Sequence, residues 1–171
     1  MAELKNQPCY DRSGNFIGWF SRSIAATLIV IAKDKAGKWY VLGSERGPGA
    51  ADFQGMWNMP CGYLDFNETV AEAACRECYE ETGVKVDPDE IVFYGYNDSP
   101  DANRQNVTFR FITTFIDKTV EDIAFSKENN EQDEVGKIEW VPLEEYNDRK
   151  WAFGHDEIIH GVKDMIEGKS M

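Results

Sequence analysis

The stretch CGYLDFNETVAEAACRECYEETGV, residues 61–84, crowds acidic side chains around one arginine in a segment that otherwise has the composition of a short helix. Asn67 is a capping residue type, the interior is rich in alanine, and Gly83 is the residue type that commonly follows a helix end. We therefore expect a helix over residues 68–82 with Asn67 as its N-cap.

The carboxylates of this predicted helix converge on one arc. At about 100° per residue, Glu77, Glu80 and Glu81 lie together beside an apolar sector, and each like-charge pair that Glu77 makes costs an isolated helix about 0.2–0.5 kcal/mol. A solvated face in which Arg76 links Glu72 and Glu80 would explain the arginine. It does not explain why Glu77 and Glu81 adjoin the apolar edge, whereas a hard divalent cation, Mg²⁺ above all, would offset repulsion and desolvation.

The composition limits the class of protein. At this length and with 42% apolar residues we expect residues 1–171 to form a single globular domain without a membrane span. The net charge of −13 disfavours nucleic-acid and anionic-lipid partners. The N-terminus lacks the apolar core of a signal peptide, so we expect a cytoplasmic protein whose cysteines are reduced thiols.

Apolar patterning predicts a sheet and a second helix. We expect strands over 24–32, 39–43, 56–59, 91–96, 107–115 and 135–141. Ile158, Ile159 and Val162 stand at helical spacing and predict a helix over 153–167. The elements together indicate an α/β fold with mainly antiparallel pairing.

The segment 62–84 resembles the signature box of the Nudix (MutT-like) hydrolases. The matching positions are Gly62, Glu68, Arg76, Glu77, Glu80, Glu81 and Gly83. The strand ends that precede and follow the box, 57–60 and 140–143, are also similar to that family. The resemblance implies a Nudix fold, in which a mixed β-sheet is sandwiched between helices as an α/β/α sandwich.

Two positions depart from the family pattern. The family usually has Pro-Gly-Gly where this chain has Pro60-Cys61-Gly62, and the carbonyl of the middle residue is often a metal ligand. Cysteine keeps that carbonyl but resists the positive φ that glycine accepts. Cys78 stands where an aliphatic residue is usual and should pack as a small hydrophobe.

The resemblance also implies a reaction, the hydrolysis of the pyrophosphate bond of a nucleoside diphosphate linked to another moiety. Its cofactor would be Mg²⁺, with Mn²⁺ as a substitute. Carried over position by position, Glu77, Glu80, Glu81 and the Cys61 carbonyl would bind the metal, and Arg76 would orient Glu77.

The general base stays open between the box glutamates and a loop before the last strand. That loop offers Glu128, Glu131, Asp133 and Glu134. Glu134 is favoured because it lies at the start of the strand, with a solvated loop carboxylate as the equal alternative. Gly62, Glu68 and Gly83 would be structural.

Candidate substrate contacts lie on both sides of the box. Arg46 and Arg104 are candidate phosphate contacts, because a guanidinium forms paired hydrogen bonds with phosphate oxygens. Trp57 and Tyr63 offer surface for a nucleotide base, although aromatic residues at strand ends more often pack in the core. Segments near 96–101 and 152–158 are similar to the ADP-ribose pyrophosphatase branch, which makes ADP-ribose or a related nucleotide sugar the leading substrate and a homodimer the expected assembly by analogy.

Three alternatives remain open from the sequence: a nucleoside triphosphate substrate, including an oxidised one; a Nudix-fold binding module without turnover; and a plain calcium-binding helix. Two patterns carry no metal function. His155 and His160 lie about 140° apart around a helix and cannot form the same-face pair of a zinc protease. Cys75 and Cys78 both fall in the apolar sector, which favours buried thiols.

Overall fold

A computed structural model describes residues 5–100, 106–128 and 133–169, apart from the side chain of Ile116. In chain order its strands are β1 (Gln7–Tyr10), β2 (Phe16–Phe20), β3 (Ile24–Lys33), β4 (Trp39–Arg46), β5 (Trp57–Asn58), β6 (Cys61–Tyr63), β7 (Val92–Asn97), β8 (Val107–Thr119) and β9 (Val135–Pro142). The helix α1 (Val70–Thr82) lies between β6 and β7, and α2 (His155–Ile166) follows β9. Arg104 and Glu131, both singled out in the sequence, lie outside the described residues.

Strand β3 is the centre of the mixed sheet. It pairs in parallel with β8 and antiparallel with β4 and β6. Strands β5 and β9 pair with β4, and β7 pairs with β8, all antiparallel. Strands β1 and β2 form a separate antiparallel hairpin. The predicted mainly antiparallel sheet is confirmed, with β3 and β8 as the parallel exception among the described strands.

The alternation of β3 explains why both faces of the sheet are covered. Leu28 and Val30 pack with Ala74 and Cys78 of α1 in one core. Residues at the intervening positions, such as Ile29, belong to a second core that contains the apolar residues of α2. Successive side chains of a strand point to opposite faces, so one strand supports both helices. The predicted sandwich of a sheet between helices is therefore confirmed.

The start of α1 differs from the sequence prediction. The N-cap is Thr69, whose hydroxyl accepts a hydrogen bond from the Glu72 N–H while the Glu72 carboxylate accepts one from the Thr69 N–H, a capping box. Asn67 has a φ of 68° and lies in the preceding turn. The helix thus begins at Val70, because the reciprocal cap outcompetes a lone asparagine.

Other boundaries also moved. The predicted strand 56–59 is confined to Trp57 and Asn58, and the short strand β6, which was not predicted, follows it. Helix α2 begins at His155 because the two preceding residues, Phe153 and Gly154, have φ values of 60° and 70° that a right-handed helix cannot adopt. Within the described residues, neither helix has the length and apolar content needed to cross a bilayer.

Candidate active site

Arg76 ties the acidic cluster together. Its Nε and Nη2 donate to the two Glu68 carboxylate oxygens at 3.0 and 2.8 Å, and its Nη1 donates to Glu77 at 2.8 Å and Glu80 at 2.9 Å. Nη2 also donates to the carbonyl of Tyr63 at 2.9 Å. These bonds raise the pKa of Arg76, and the guanidinium lowers the pKa of Glu68.

The solvated face that would link Arg76 to both Glu72 and Glu80 is present only in part, because Arg76 binds Glu80 and not Glu72. The carboxylate of Glu72 accepts the Thr69 N–H at 2.7 Å instead, and Glu68 supplies the acidic partner on that side of the arginine. The physical reason is the capping box, which satisfies a backbone donor at the helix start that would otherwise lack a partner. Arg76 is therefore directed towards the site rather than along the solvated face.

Gly62 lets the Glu77 carboxylate approach the backbone of β6. A Cβ atom at position 62 would lie 2.2 Å from Cδ and from Oε1 of Glu77. Burial raises the pKa of Glu77, and the hydrogen bond and charge of Arg76 oppose that rise. The glycine predicted to be structural thus leaves the space that the buried carboxylate fills.

Glu81 is the least compensated acid of the cluster. Its Oε2 is buried and has no hydrogen-bond partner. Burial raises the pKa of Glu81 well above its usual range, and the negative charge of Glu77 adds to the rise, whereas the Cys61 N–H donates to the carboxylate and lowers it. A buried carboxylate of this kind either binds a proton or binds a cation.

Cys61 lies beside Glu81 without backbone strain. It belongs to strand β6, and it is absent from the described non-glycine residues with positive φ. Its thiol approaches the Asn58 side-chain nitrogen at 3.7 Å, and burial raises its pKa. Cysteine can therefore replace the usual glycine, because the backbone at this position does not adopt the left-handed conformation.

A cavity of about 380 Å³ joins these groups to the opposite side of the sheet. Of the predicted site residues, it brings together Arg46, Cys61, Gly62, Tyr63, Arg76, Glu77, Glu81 and Glu134. Glu80 and Trp57 do not line it. Glu80 is bonded to Arg76, while Trp57 packs edge-on against Trp151 with ring centroids 6.3 Å apart. Glu68 and Gly83, which were predicted to be structural, do not line the cavity. Glu68 accepts hydrogen bonds from Arg76, and Gly83 ends α1 in the left-handed conformation.

Arg46 reaches this cavity from the end of β4. Its Nε and Nη2 donate to Asp52 at 2.9 Å each, and its guanidinium lies 5.1 Å from the ring centroid of Phe153. The arginine is thereby held in one orientation at the cavity wall. Arg46 and Glu81 line the same cavity, and the charge of Arg46 opposes the rise in the pKa of Glu81.

The acidic residues fit a divalent cation. Among residues 5–100, 106–128 and 133–169, no three His, Cys, Asp or Glu side chains are already arranged as a metal site. The unpaired oxygen of Glu81 and the adjacent carboxylate of Glu77 nevertheless supply the hard oxygen donors that Mg²⁺ and Mn²⁺ bind. Glu80 would have to leave Arg76 to join them.

Arg110 and His155 are among the cavity residues that sequence reasoning did not predict. Arg110 interrupts the apolar alternation of β8 on the side of Ile112, which packs into the second core. His155 is buried, and its Nδ1 accepts the Met59 N–H at 2.9 Å. The charge within a buried strand was a usable signal for Arg110, whereas the position of His155 depends on how α2 docks.

The buried His155 gives the stability of the protein a pH dependence. Burial lowers the pKa of His155 to about 3, far below its ordinary value. The unfolded chain therefore takes up a proton that the folded protein excludes, so this contribution is complete above about pH 6.5 and declines as the pH falls towards 3. We expect it to remove about 2 kcal/mol from the free energy of unfolding between pH 7 and pH 5.

Urea unfolding at the two pH values measures this effect, with His155→Gln as the comparison. Glutamine can accept the Met59 N–H but does not titrate, so the variant should lose less stability between pH 7 and pH 5. Glu77 and Glu81 titrate in both proteins, and the difference between the proteins isolates the histidine. An identical pH dependence in the two proteins would show that the imidazole is not held neutral.

The family model of the NUDIX domain matches residues 22–162, which is most of the chain. This chain belongs to the NUDIX family. The Nudix box predicted at 62–84 lies inside the matched region, and it contributes β6, α1 and the acidic wall of the cavity. Membership of this family supports the predicted enzyme class, a Nudix pyrophosphohydrolase.

Solved structures of Nudix proteins share the fold. The NUDIX domain of Shewanella oneidensis NrtR, complexed with ADP ribose, aligns with a TM-score of 0.69 at 20% identity and covers 92% of this chain and 94% of that one. The M. smegmatis Nudix hydrolase RenU aligns at 0.65 and 17% identity, covering 96% and 97%. A bifunctional NMN adenylyltransferase/ADP ribose pyrophosphatase from Francisella tularensis, complexed with AMP and a Mn ion, aligns at 0.64 and 20% identity, covering 85% and 42%.

The sequence likeness to curated Nudix relatives is local. Phosphatase NudJ of Escherichia coli K12 is 46% identical over 37 residues. This segment is 22% of the present chain, and it spans about a quarter of the relative, 24% of its length. The local match supports the family, and the solved structures support the fold.

Proposed function

We propose that this protein hydrolyses the pyrophosphate bond of a nucleoside diphosphate linked to another moiety, with Mg²⁺ as cofactor and Mn²⁺ as a substitute. The observation that carries the proposal is the buried Oε2 of Glu81, which has no partner and lies beside the partly buried Glu77 on the wall of a cavity of about 380 Å³. Such a pair of acids is stabilised by a cation, and a cation there would face a ligand in the cavity.

Mg²⁺ bound by Glu77 and Glu81, with Glu80 and the Cys61 carbonyl as further ligands, would supply Lewis-acid stabilisation of the charge that develops on the diphosphate. In the reaction, the oxygen of one water forms a bond to one phosphorus. The bond between that phosphorus and the bridging oxygen breaks, and the bridging oxygen leaves with the second phosphoryl group.

The protein residues orient the acids and accept the proton of the water. Arg76 holds Glu77 at 2.8 Å, so the carboxylate is preoriented before a ligand arrives. Glu134 lines the cavity and is our choice for the general base, because it reaches the same space as Glu81 from the start of β9. Arg46, held by Asp52 at the cavity wall, would contact a phosphate oxygen.

ADP-ribose is our leading substrate, with related nucleotide sugars next. Two structures of similar fold support this choice, one complexed with ADP ribose and one of an ADP ribose pyrophosphatase complexed with AMP and a Mn ion. A nucleoside triphosphate, including an oxidised one, is the second candidate. It is favoured by the cationic side chains Arg46 and Arg110 on one cavity, which could accommodate an additional phosphate charge.

A substrate screen tests the proposal. The protein is incubated with ADP-ribose, a nucleotide sugar, dGTP and oxidised dGTP, each with Mg²⁺, with Mn²⁺ or with a chelator, and the products are separated by chromatography. We expect AMP and ribose phosphate from ADP-ribose, and no product with the chelator. Ligand binding without product formation would support a non-catalytic Nudix module instead, and calcium binding without nucleotide binding would support the plain acidic helix.

The cytoplasmic location and the homodimer remain predictions. The described cysteines are all free thiols, which supports a reducing compartment. Size-exclusion chromatography with light scattering measures the assembly, and a monomer at micromolar concentration would contradict the expected homodimer.

A further inference from the structure

Arg110 approaches the cavity from the face of the sheet that carries α2. It lies opposite Thr27 in the parallel pairing of β8 with β3. Its neighbour on the same strand face, Ile112, packs into the core formed with α2, whereas Phe111 packs into the core of α1. The guanidinium therefore lies across the cavity from the acidic residues of α1.

The charge of Arg110 is incompletely compensated within the described residues. Its Nε is buried without a hydrogen-bond partner, and no ion pair within 4 Å joins it to another described side chain. The titratable groups that act on it are Tyr94 of β7 and Glu157 of α2, and its own charge acts on His155. Burial lowers the pKa of Arg110, and the charges of Tyr94 and Glu157 only partly oppose this change. The two neighbours therefore do not fully compensate for the water that the guanidinium loses.

His155 adds a donor of fixed orientation to the same cavity. Its Nδ1 accepts the Met59 N–H at 2.9 Å, so in the neutral ring the proton is on Nε2. His155 is the first residue of α2, and the helix dipole also favours a negative ligand at this end of the helix. Arg110 and His155 thus offer donors, and neither offers an acceptor.

We propose that Arg110 and His155 form an anion-binding subsite for a phosphate oxyanion of the substrate, across the cavity from Glu77 and Glu81. The inference rests on the proposed function for the identity of the substrate, but the subsite itself requires no turnover. Two donor-only groups recognise an oxygen that only accepts, and a phosphate oxyanion would supply the missing partner of the buried Arg110 Nε.

Inorganic phosphate is the direct probe of this subsite. Its affinity is measured by calorimetry in a chelator, so that no metal bridges it to the acids, for the wild type, Arg110→Met and Arg12→Met. Arg12 is an exposed arginine in the turn between β1 and β2, and its variant is the matched control. Loss of one charged hydrogen bond predicts that Arg110→Met weakens phosphate binding by about tenfold or more, with no change in Arg12→Met.

Two histidine variants test the second donor. His155→Gln keeps an acceptor for the Met59 N–H and a donor towards the cavity, so phosphate binding should stay close to wild type. His155→Leu removes both groups and should weaken binding as Arg110→Met does. Equal phosphate affinity in the glutamine and leucine variants would remove the histidine from the subsite.

Steady-state kinetics identify which phosphate occupies the subsite. If it is part of the diphosphate, Arg110→Met raises KM for ADP-ribose and for dGTP alike; if it is the third phosphate, KM rises for dGTP alone. Because the subsite holds the substrate rather than the reacting water, kcat should change less than KM.

Unchanged phosphate affinity in a folded Arg110→Met variant overturns the proposal. If that variant does not fold, wild-type crystals soaked in selenate, a heavier phosphate analogue, decide the question. An anomalous peak within hydrogen-bond distance of Arg110 and His155 supports the subsite, and none at that place overturns it. A protein that binds phosphate through Arg110 but hydrolyses none of the nucleotides would keep the subsite and refute the proposed function.

Discussion

Glu81→Gln is expected to lower kcat at saturating Mg²⁺ by at least about 10²-fold, the scale of losing one electrostatic or acid–base contributor. Glutamine keeps the shape of the side chain and can still accept the Cys61 N–H. Glutamine lacks the charge that would hold the cation. It also places an amide group at the position where the Oε2 of Glu81 has no hydrogen-bond partner. We expect the same loss for Glu80→Gln.

The same substitution should stabilise the metal-free protein. The folded pKa of Glu81 is raised, so the ionised carboxylate costs stability as the pH rises above its unfolded value of about 4.5. Glutamine removes this cost and the repulsion from Glu77. We expect a rise of about 2–4 °C in the melting temperature of the metal-free variant, and this difference should grow as the pH rises above about 4.5.

Glu72→Gln is the matched control for both measurements. Glu72 lies on the same helix, is exposed, and takes part in the capping box through an oxygen that glutamine retains. Its variant should keep wild-type turnover and show no gain in metal-free stability. Near wild-type turnover of Glu81→Gln across several Mg²⁺ concentrations would contradict the role given to the buried carboxylate.

Gly62→Ala is expected to abolish most of the activity while leaving the fold intact. The added Cβ would lie 2.2 Å from the Glu77 carboxylate, which is the mobile end of a side chain and can move away. Gly62 has no positive φ, so alanine adds no backbone strain there. Displacing Glu77 should lower the Mg²⁺ affinity and reduce kcat by about 10²-fold.

Gly95→Ala is the matched control for this substitution. Gly95 is also in a strand, and a Cβ atom there would meet no atom within 4 Å. Circular dichroism and thermal unfolding establish that both variants are folded, and Mg²⁺ titrations with turnover follow the site. If Gly62→Ala kept the wild-type Mg²⁺ dependence, the close approach of Glu77 to β6 would have no catalytic purpose.

The buried parts of the fold were predictable because their residues follow a regular pattern. The apolar run of β3 requires a strand that is covered on both faces, and the alternation in β8 predicts a second long strand; residues 24–33 and 107–119 form these strands. The β1 and β2 hairpin gave no such signal. Phe16, Ile17, Trp19 and Phe20 are all exposed and fall on both faces of β2, so neither face has a buried pattern to read.

The acidic half of the candidate site was predictable because it depends on one helix. Helical spacing alone places Glu77 and Glu81 together, and the segment before the helix brings Gly62 against them. The opposite half depends on tertiary structure. Arg110 reaches the cavity only through the parallel pairing of β8 with β3, and His155 only because α2 docks against Met59.

The most direct test of the central claim is a crystal soaked with Mn²⁺ and a non-hydrolysable ADP-ribose analogue, measured at the manganese absorption edge. We predict an anomalous peak about 2.1–2.2 Å from carboxylate oxygens of Glu77 and Glu81, with the diphosphate as a further ligand. A bound analogue with no peak at these oxygens, and with Glu81 hydrogen-bonded only to protein, would contradict it.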